Sequence, residues 1–178
     1  MKTLCSLVLA TSLASTAFAG TTYSAKSSKM VQPVAADECP CFAPGWAVGV
    51  FGGALFPSHN DNAVGGGGVL GEYFFTEQFG FQADYGVYAT SSQHHQFDGS
   101  LVWRFPIKSI CVAPYLMAGG GFSTNADQEG DFHAGAGIEA RFKSLNCMGV
   151  FLDGAYHFHG SNNDRDFTVA RLGVKFPF

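Results

Sequence analysis

From residue 44 onward the chain is written in a two-residue rhythm. The stretch VARLGVKFPF sets Ala170, Leu172, Val174, Phe176 and Phe178 on one side and Val169, Arg171, Gly173 and Lys175 on the other. Side chains that alternate in this way belong to a strand with one apolar and one charged face. The same rhythm predicts eight strands, over 45–56, 63–75, 78–89, 97–105, 112–122, 131–142, 147–159 and 167–178. Their lengths suit a tilted strand crossing a membrane, which needs about 9–11 residues.

In the third run Phe79, Phe81, Ala83, Tyr85 and Val87 oppose Gln78, Gln82, Asp84 and Tyr88. The fourth sets Phe97, Leu101, Trp103 and Phe105 against Asp98, Ser100 and Arg104. The sixth sets Phe132, Ala134, Ala136, Ile138 and Phe142 against His133, Glu139 and Arg141, and the seventh sets Met148, Val150, Leu152, Tyr156 and Phe158 against Asp153 and His157. The first, second and fifth runs carry too much glycine for their faces to be assigned. The connections TEQ, PIKSI and KSLN are short, whereas PSHNDN, TSSQHHQ, STNADQEG and GSNNDRD are longer and polar. Short turns at one end and longer loops at the other predict an all-β, eight-stranded antiparallel up-and-down transmembrane barrel, with both termini at the short-turn, periplasmic end.

Composition sharpens the choice between lipid and water. Charged residues make up 13% of the chain and aromatics 15%, against about 25% charged in ordinary soluble proteins. No apolar run reaches the roughly 20 residues of a membrane helix, so a closed barrel is the remaining way to satisfy a backbone in lipid. A soluble lipocalin-like barrel would place these strands' few charges outward and leave its surface poor in charge. The net charge of −4 provides no basic footprint for nucleic acid. Lys2, the apolar stretch from Leu4 to Ala14 and the small-x-small triplet Ala17-Phe18-Ala19 read as a signal peptide over residues 1–19. Residues 20–43 are polar and aperiodic, predicting a flexible periplasmic segment before a barrel over 44–178.

The leader, the alternating strands and the final GVKFPF resemble the OmpA-/OmpX-like family of outer-membrane β-barrels. The resemblance implies a monomer in the outer membrane of a Gram-negative-type bacterium, in contact with membrane lipids and lipopolysaccharide. It further implies that Val174, Phe176 and Phe178 form the signal read by the barrel-assembly machinery. Pro177 departs from that pattern, because it removes a ladder donor, which a strand tolerates only near its end. The family hosts many roles, so the resemblance speaks for fold and leaves function open. A structural or surface-interaction role follows as the first expectation.

Eight strands enclose a lumen just wide enough to be filled by side chains. Glu72, Asp84, Asp98, Glu139 and Asp153 face Arg104, Arg141, Arg171 and Lys175 on the predicted inner side. Such near-balance predicts an internal ion-pair network rather than a wide channel. AVGGGGVLG (63–71) lacks the Lys-Ser/Thr and the helix of a phosphate loop. No cofactor is expected.

Cysteines and histidines segregate. Once the leader and its Cys5 are removed, Cys39 and Cys41 precede the first strand, while Cys111 and Cys147 sit beside short turns. An even set in an oxidising compartment predicts disulfides joining the N-terminal segment to the two turns. Which of Cys39 and Cys41 meets which turn stays open, as do a metal site and a redox pair. His59, His94, His95, His133, His157 and His159 all map to the opposite end. With nearby Asp127, Glu129, Asp131, Asp164 and Asp166 they make a candidate site for a divalent metal at the loop end, drawn from His94, His95, His133, His157 and His159. The stretch His159-Gly160-Ser161-Asn162 is also similar to the His-x-Ser-Asn motif of the lipid A deacylase barrels. That likeness implies His159 as general base and Ser161 as nucleophile. The family's orienting Glu in the next strand has no counterpart here.

Overall fold

The computed structural model describes residues 40–58, 62–90, 93–124, 128–159 and 166–178. Strands β1 (Gly45–Pro57), β2 (Val64–Phe74), β3 (Phe79–Tyr88), β4 (His94–Arg104), β5 (Val112–Thr124), β6 (Gln128–Phe142), β7 (Met148–Phe158) and β8 (Phe167–Pro177) follow one another around a ring. Each pairs antiparallel with its neighbours in sequence, and β8 returns to β1 through registers such as Val50↔Val174, closing the barrel. Closure leaves no strand edge unpaired, the requirement for a sheet in lipid. Pro177 ends β8, and the Phe178 amide just beyond it donates to the Trp46 carbonyl at 3.1 Å.

The inward and outward faces agree with the alternation wherever it could be read. Leu101 is 67% exposed while its neighbour Ser100 is 1% exposed. Outward-facing Trp46, Tyr73, Phe79, Trp103 and Phe105 cluster near the turn end, where Phe79 stacks on Trp103 at 5.7 Å. Near the loop end, Tyr85, Phe97 and Phe122 line up across β3, β4 and β5, with Phe97 stacking on Phe122 at 5.0 Å. Between these aromatic girdles the surface is Val50, Val69, Leu116, Ile138, Leu152 and Leu172. A belt of this build matches a membrane's hydrocarbon layer flanked by its interfaces.

Two strands begin earlier than the hydrophobic runs suggest. β4 starts at His94 rather than 97, and β6 at Gln128 rather than 131. The expected eight-residue loop STNADQEG therefore shrinks to residues 125–127, because Ser123 and Thr124 pair with Glu129 and Gln128. On β4, His94 and Gln96 turn polar side chains into a polar lumen, which hides the alternation that a hydrophobic count detects. The glycine-rich runs have a packing explanation. A Cβ on Gly68 would come within 2.6 Å of the Phe51 ring, and one on Gly173 within 2.6 Å of the Phe151 ring. The inward glycines make room for aromatic rings from neighbouring strands.

Candidate functional site: a stratified polar lumen

Alternation sends every second side chain inward, several of them polar, and the register decides which of those meet. At the turn end Lys175 donates to Glu72 at 2.7 Å and to Glu139 at 3.2 Å, and Arg141 donates to Glu139 at 2.6 Å. Arg104 lies against the Phe74 ring at 3.5 Å and donates to the carbonyls of Phe42 at 2.9 Å and Ala43 at 3.3 Å. Phe42 is wholly buried, with the guanidinium groups of both Arg104 and Arg141 5.1 Å from its ring centre. The end of the segment read as flexible is thus a stopper seated in the barrel mouth.

The stopper is pinned. Cys41 forms a disulfide with Cys111 in the β4–β5 turn. Both Phe42 (φ 67°) and Cys111 (φ 52°) take the left-handed conformation that non-glycine residues rarely adopt. Cys147, beside the β6–β7 turn, is disulfide-bonded as well, and Cys39 lies outside the described residues.

Midway along the lumen Arg171 bridges Asp84 at 2.9 Å and Asp153 at 2.8 Å. Asp153 and Arg171 are direct cross-strand partners on β7 and β8, so the register itself makes this pair. Tyr115 donates to Asp153 at 2.7 Å, and Gln82 donates to Asp84 at 3.0 Å. Tyr115 escaped the sequence reading because it sits on a run too rich in glycine to orient.

Toward the loop end the chemistry changes. Asp98 directly faces Asp84 across β3 and β4, yet Arg171 is committed to Asp84 and Asp153. Asp98 instead approaches His133, with 3.7 Å between its Oδ1 and Nδ1. His133 and His157 are cross-strand partners on β6 and β7, their rings 4.9 Å apart. His157 meets Asp131 at 3.0 Å and Gln96 at 3.0 Å, and Ser100 meets the Nε2 of His133 at 2.7 Å. Contact between β4 and β6 is possible because β5, which separates them, turns only Gly119 and Gly121 inward at this height; a Cβ on Gly121 would collide with Asp98.

The histidines named from the sequence therefore separate. His133 and His157 share a carboxylate-bearing cluster, whereas His95 points out of the barrel and pairs with Tyr85 at 2.7 Å. His94 and His159 are buried around the Phe167 ring, at 5.5 and 5.6 Å. His59 and Ser161 lie outside the described residues. The His159 amide donates to Asp166 at 2.8 Å. Continuing the alternation of β4 upstream through Asp98, Gln96 and His94 would have placed Gln96 and His94 inside. Among the described residues the lumen holds a cavity of about 10 Å³ whose lining includes Gln96, Asp98, Ser100, His133 and His157, about the least space that admits one water.

Comparison with solved structures agrees with this geometry. The Neisserial surface protein A (NspA) superposes with a TM-score of 0.63 at 17% identity, covering 75% of this chain and 97% of that one. The N-terminal β-barrel domain of Pseudomonas aeruginosa OprF gives 0.58 at 19% identity, covering 74% and 97%. A de novo designed transmembrane β-barrel gives 0.51 at 18% identity, covering 76% and 97%. No protein-family model matches the chain, and no curated protein matches it in sequence. The chain has the fold of the small eight-stranded outer-membrane β-barrels.

Proposed function

We propose that this protein is an exported outer-membrane barrel with a structural and surface-directed role, holding a sealed lumen and a disulfide-pinned stopper in a Gram-negative-type envelope. The observation that carries the reading is the outer face, where large apolar side chains run between two aromatic girdles while the charges are gathered inside. Residues 1–19 act as the signal peptide, so the mature chain starts at Gly20, and the short turns and both termini face the periplasm. Val174, Phe176 and Phe178 present the assembly signal, and the barrel stands as a monomer among membrane lipids and lipopolysaccharide. Cys39 is the partner left for Cys147, which ties the segment before β1 to both turns.

Leu101 lies between the girdles, so Leu101→Arg tests the reading. The substitution is expected to cost about 2–4 kcal/mol in refolding into lipid vesicles, the depth-dependent penalty of a cation on a lipid face. Wild-type protein is expected in the outer-membrane fraction, shifting on a gel when heated, with Gly20 at its N-terminus. A wild-type protein recovered wholly in the soluble fraction, or an Arg variant as stable in vesicles as wild type, would count against it.

A further inference from the structure

We propose that Asp98, Asp131, His133 and His157 form a four-ligand site for a first-row transition-metal dication in the loop-end half of the lumen. One ligand atom from each lies within 4.8 Å of all the others. Their side chains are sealed from solvent, at 7% exposure for Asp98, 0% for Asp131, 2% for His133 and 3% for His157.

Charge balance is the first argument. Among the described residues, the inward carboxylates Glu72, Asp84, Glu139 and Asp153 each have a Lys or Arg partner. Among the described residues, the groups in ion-pair range of Asp98 and Asp131 are the imidazoles of His133 and His157. Buried carboxylates are tolerable when paired or when they coordinate a metal. A dication neutralises both at once.

Unpartnered atoms are the second. Asp98 Oδ1, Asp131 Oδ2 and His133 Nδ1 are buried without a hydrogen bond among the described residues. All belong to the cluster, and His133 Nδ1 stands 3.7 Å from Asp98 and 3.9 Å from Asp131, too far to bond either. A zinc ion with bonds of about 2.0–2.1 Å would draw the donors to roughly 3.3 Å apart. Small movements of flexible carboxylates toward a common centre supply that contraction.

The supporting shell is the third. A metal-bound histidine is held by a partner on its other nitrogen. Ser100 meets His133 at Nε2, leaving Nδ1 toward the carboxylates, and Gln96 contacts the His157 ring. Nitrogen and carboxylate donors together suit zinc, copper, nickel or iron rather than calcium or magnesium. His94 and His159, set around Phe167 above the cluster, provide further imidazoles on the path from the loop end. The inference stands on the lumen alone and does not depend on the membrane placement proposed above.

The test uses the full mature chain, refolded in detergent, stripped with a chelator and titrated with zinc chloride by calorimetry. Folding is checked separately by the heat-dependent gel shift. Wild type is expected to take up one equivalent. Folded His133→Gln and Asp98→Asn are each expected to bind at least tenfold more weakly, while His95→Gln, altered on the outer face, binds like wild type. Absence of saturable uptake by folded wild type overturns the proposal, as does one-equivalent uptake of unchanged affinity in the folded ligand variants. If neither ligand variant folds, Ser100→Ala decides, since Ser100 orients His133 without being a ligand. A loss of about tenfold supports the site, and unchanged affinity overturns it.

Discussion

Arg171→Met is expected to destabilise the barrel by about 3–5 kcal/mol, the cost of removing one partner from a buried ion pair. Arg171 is 6% exposed and neutralises both Asp84 and Asp153, at 2.9 and 2.8 Å, with the Phe51 ring 5.2 Å below its guanidinium. Methionine keeps much of the volume and loses the charge. Two carboxylates would then share a dry space near Asp98, which already faces Asp84 in the register. Unfolding in guanidinium chloride, followed by tryptophan fluorescence, measures the effect. The triple variant Arg171→Met/Asp84→Asn/Asp153→Asn is expected to recover most of the loss, because replacing a whole buried ionic group is often close to neutral. A single variant within about 1 kcal/mol of wild type would mean that water reaches this level of the lumen.

Replacing both partners of the Cys41–Cys111 bridge with serine is the second large effect. The bridge spans 70 residues, for which the chain-entropy account gives about 4 kcal/mol. The native contacts it secures add a local consequence. Once Cys41 is released, Phe42 is free to leave the mouth, and Arg104 loses the Phe42 and Ala43 carbonyls as acceptors. The temperature at which the folded band disappears on a gel is expected to fall, and a protease is expected to cut near residue 42 before the barrel opens. Reductant acting on wild type also breaks the bond of Cys147, so the Cys41→Ser/Cys111→Ser variant isolates this bridge. An unchanged transition, with residues 40–44 still protected, would show that the Phe42 contacts and the bond of Cys147 hold the stopper without this bridge.

How much was legible in the chain depends on which residues carried the signal. On β3, β6 and β7, bulky apolar and charged residues alternate, so Phe81 against Gln82 or Leu152 against Asp153 could be read at once. On β5 the run from Gly119 to Gly121 conceals the same period. Neither Tyr115's place beside Asp153 nor the gap that lets Ser100 reach His133 could be read there. Phe42 was hidden differently. It stands alone in a polar segment, and its burial depends on two arginines from distant strands. The histidines were legible as a group at one end and illegible as a site, since His94 and His95 are adjacent in the chain and lie on opposite sides of the barrel wall.

The sequence by itself determined the barrel, the strand order, the facing of most side chains and the inward gathering of charge, because a two-residue period and the hydrophobic effect act locally along each strand. The tertiary structure alone decided the partners. Closing the ring brings β8 against β1 and sets Lys175 between Glu72 and Glu139. The stagger of the strands gives Arg171 to Asp84 and Asp153, and leaves Asp98 and Asp131 to the imidazoles of His133 and His157. Pairing energy in a narrow, dry lumen falls off within a few ångströms, and only the closed register sets distances at that scale.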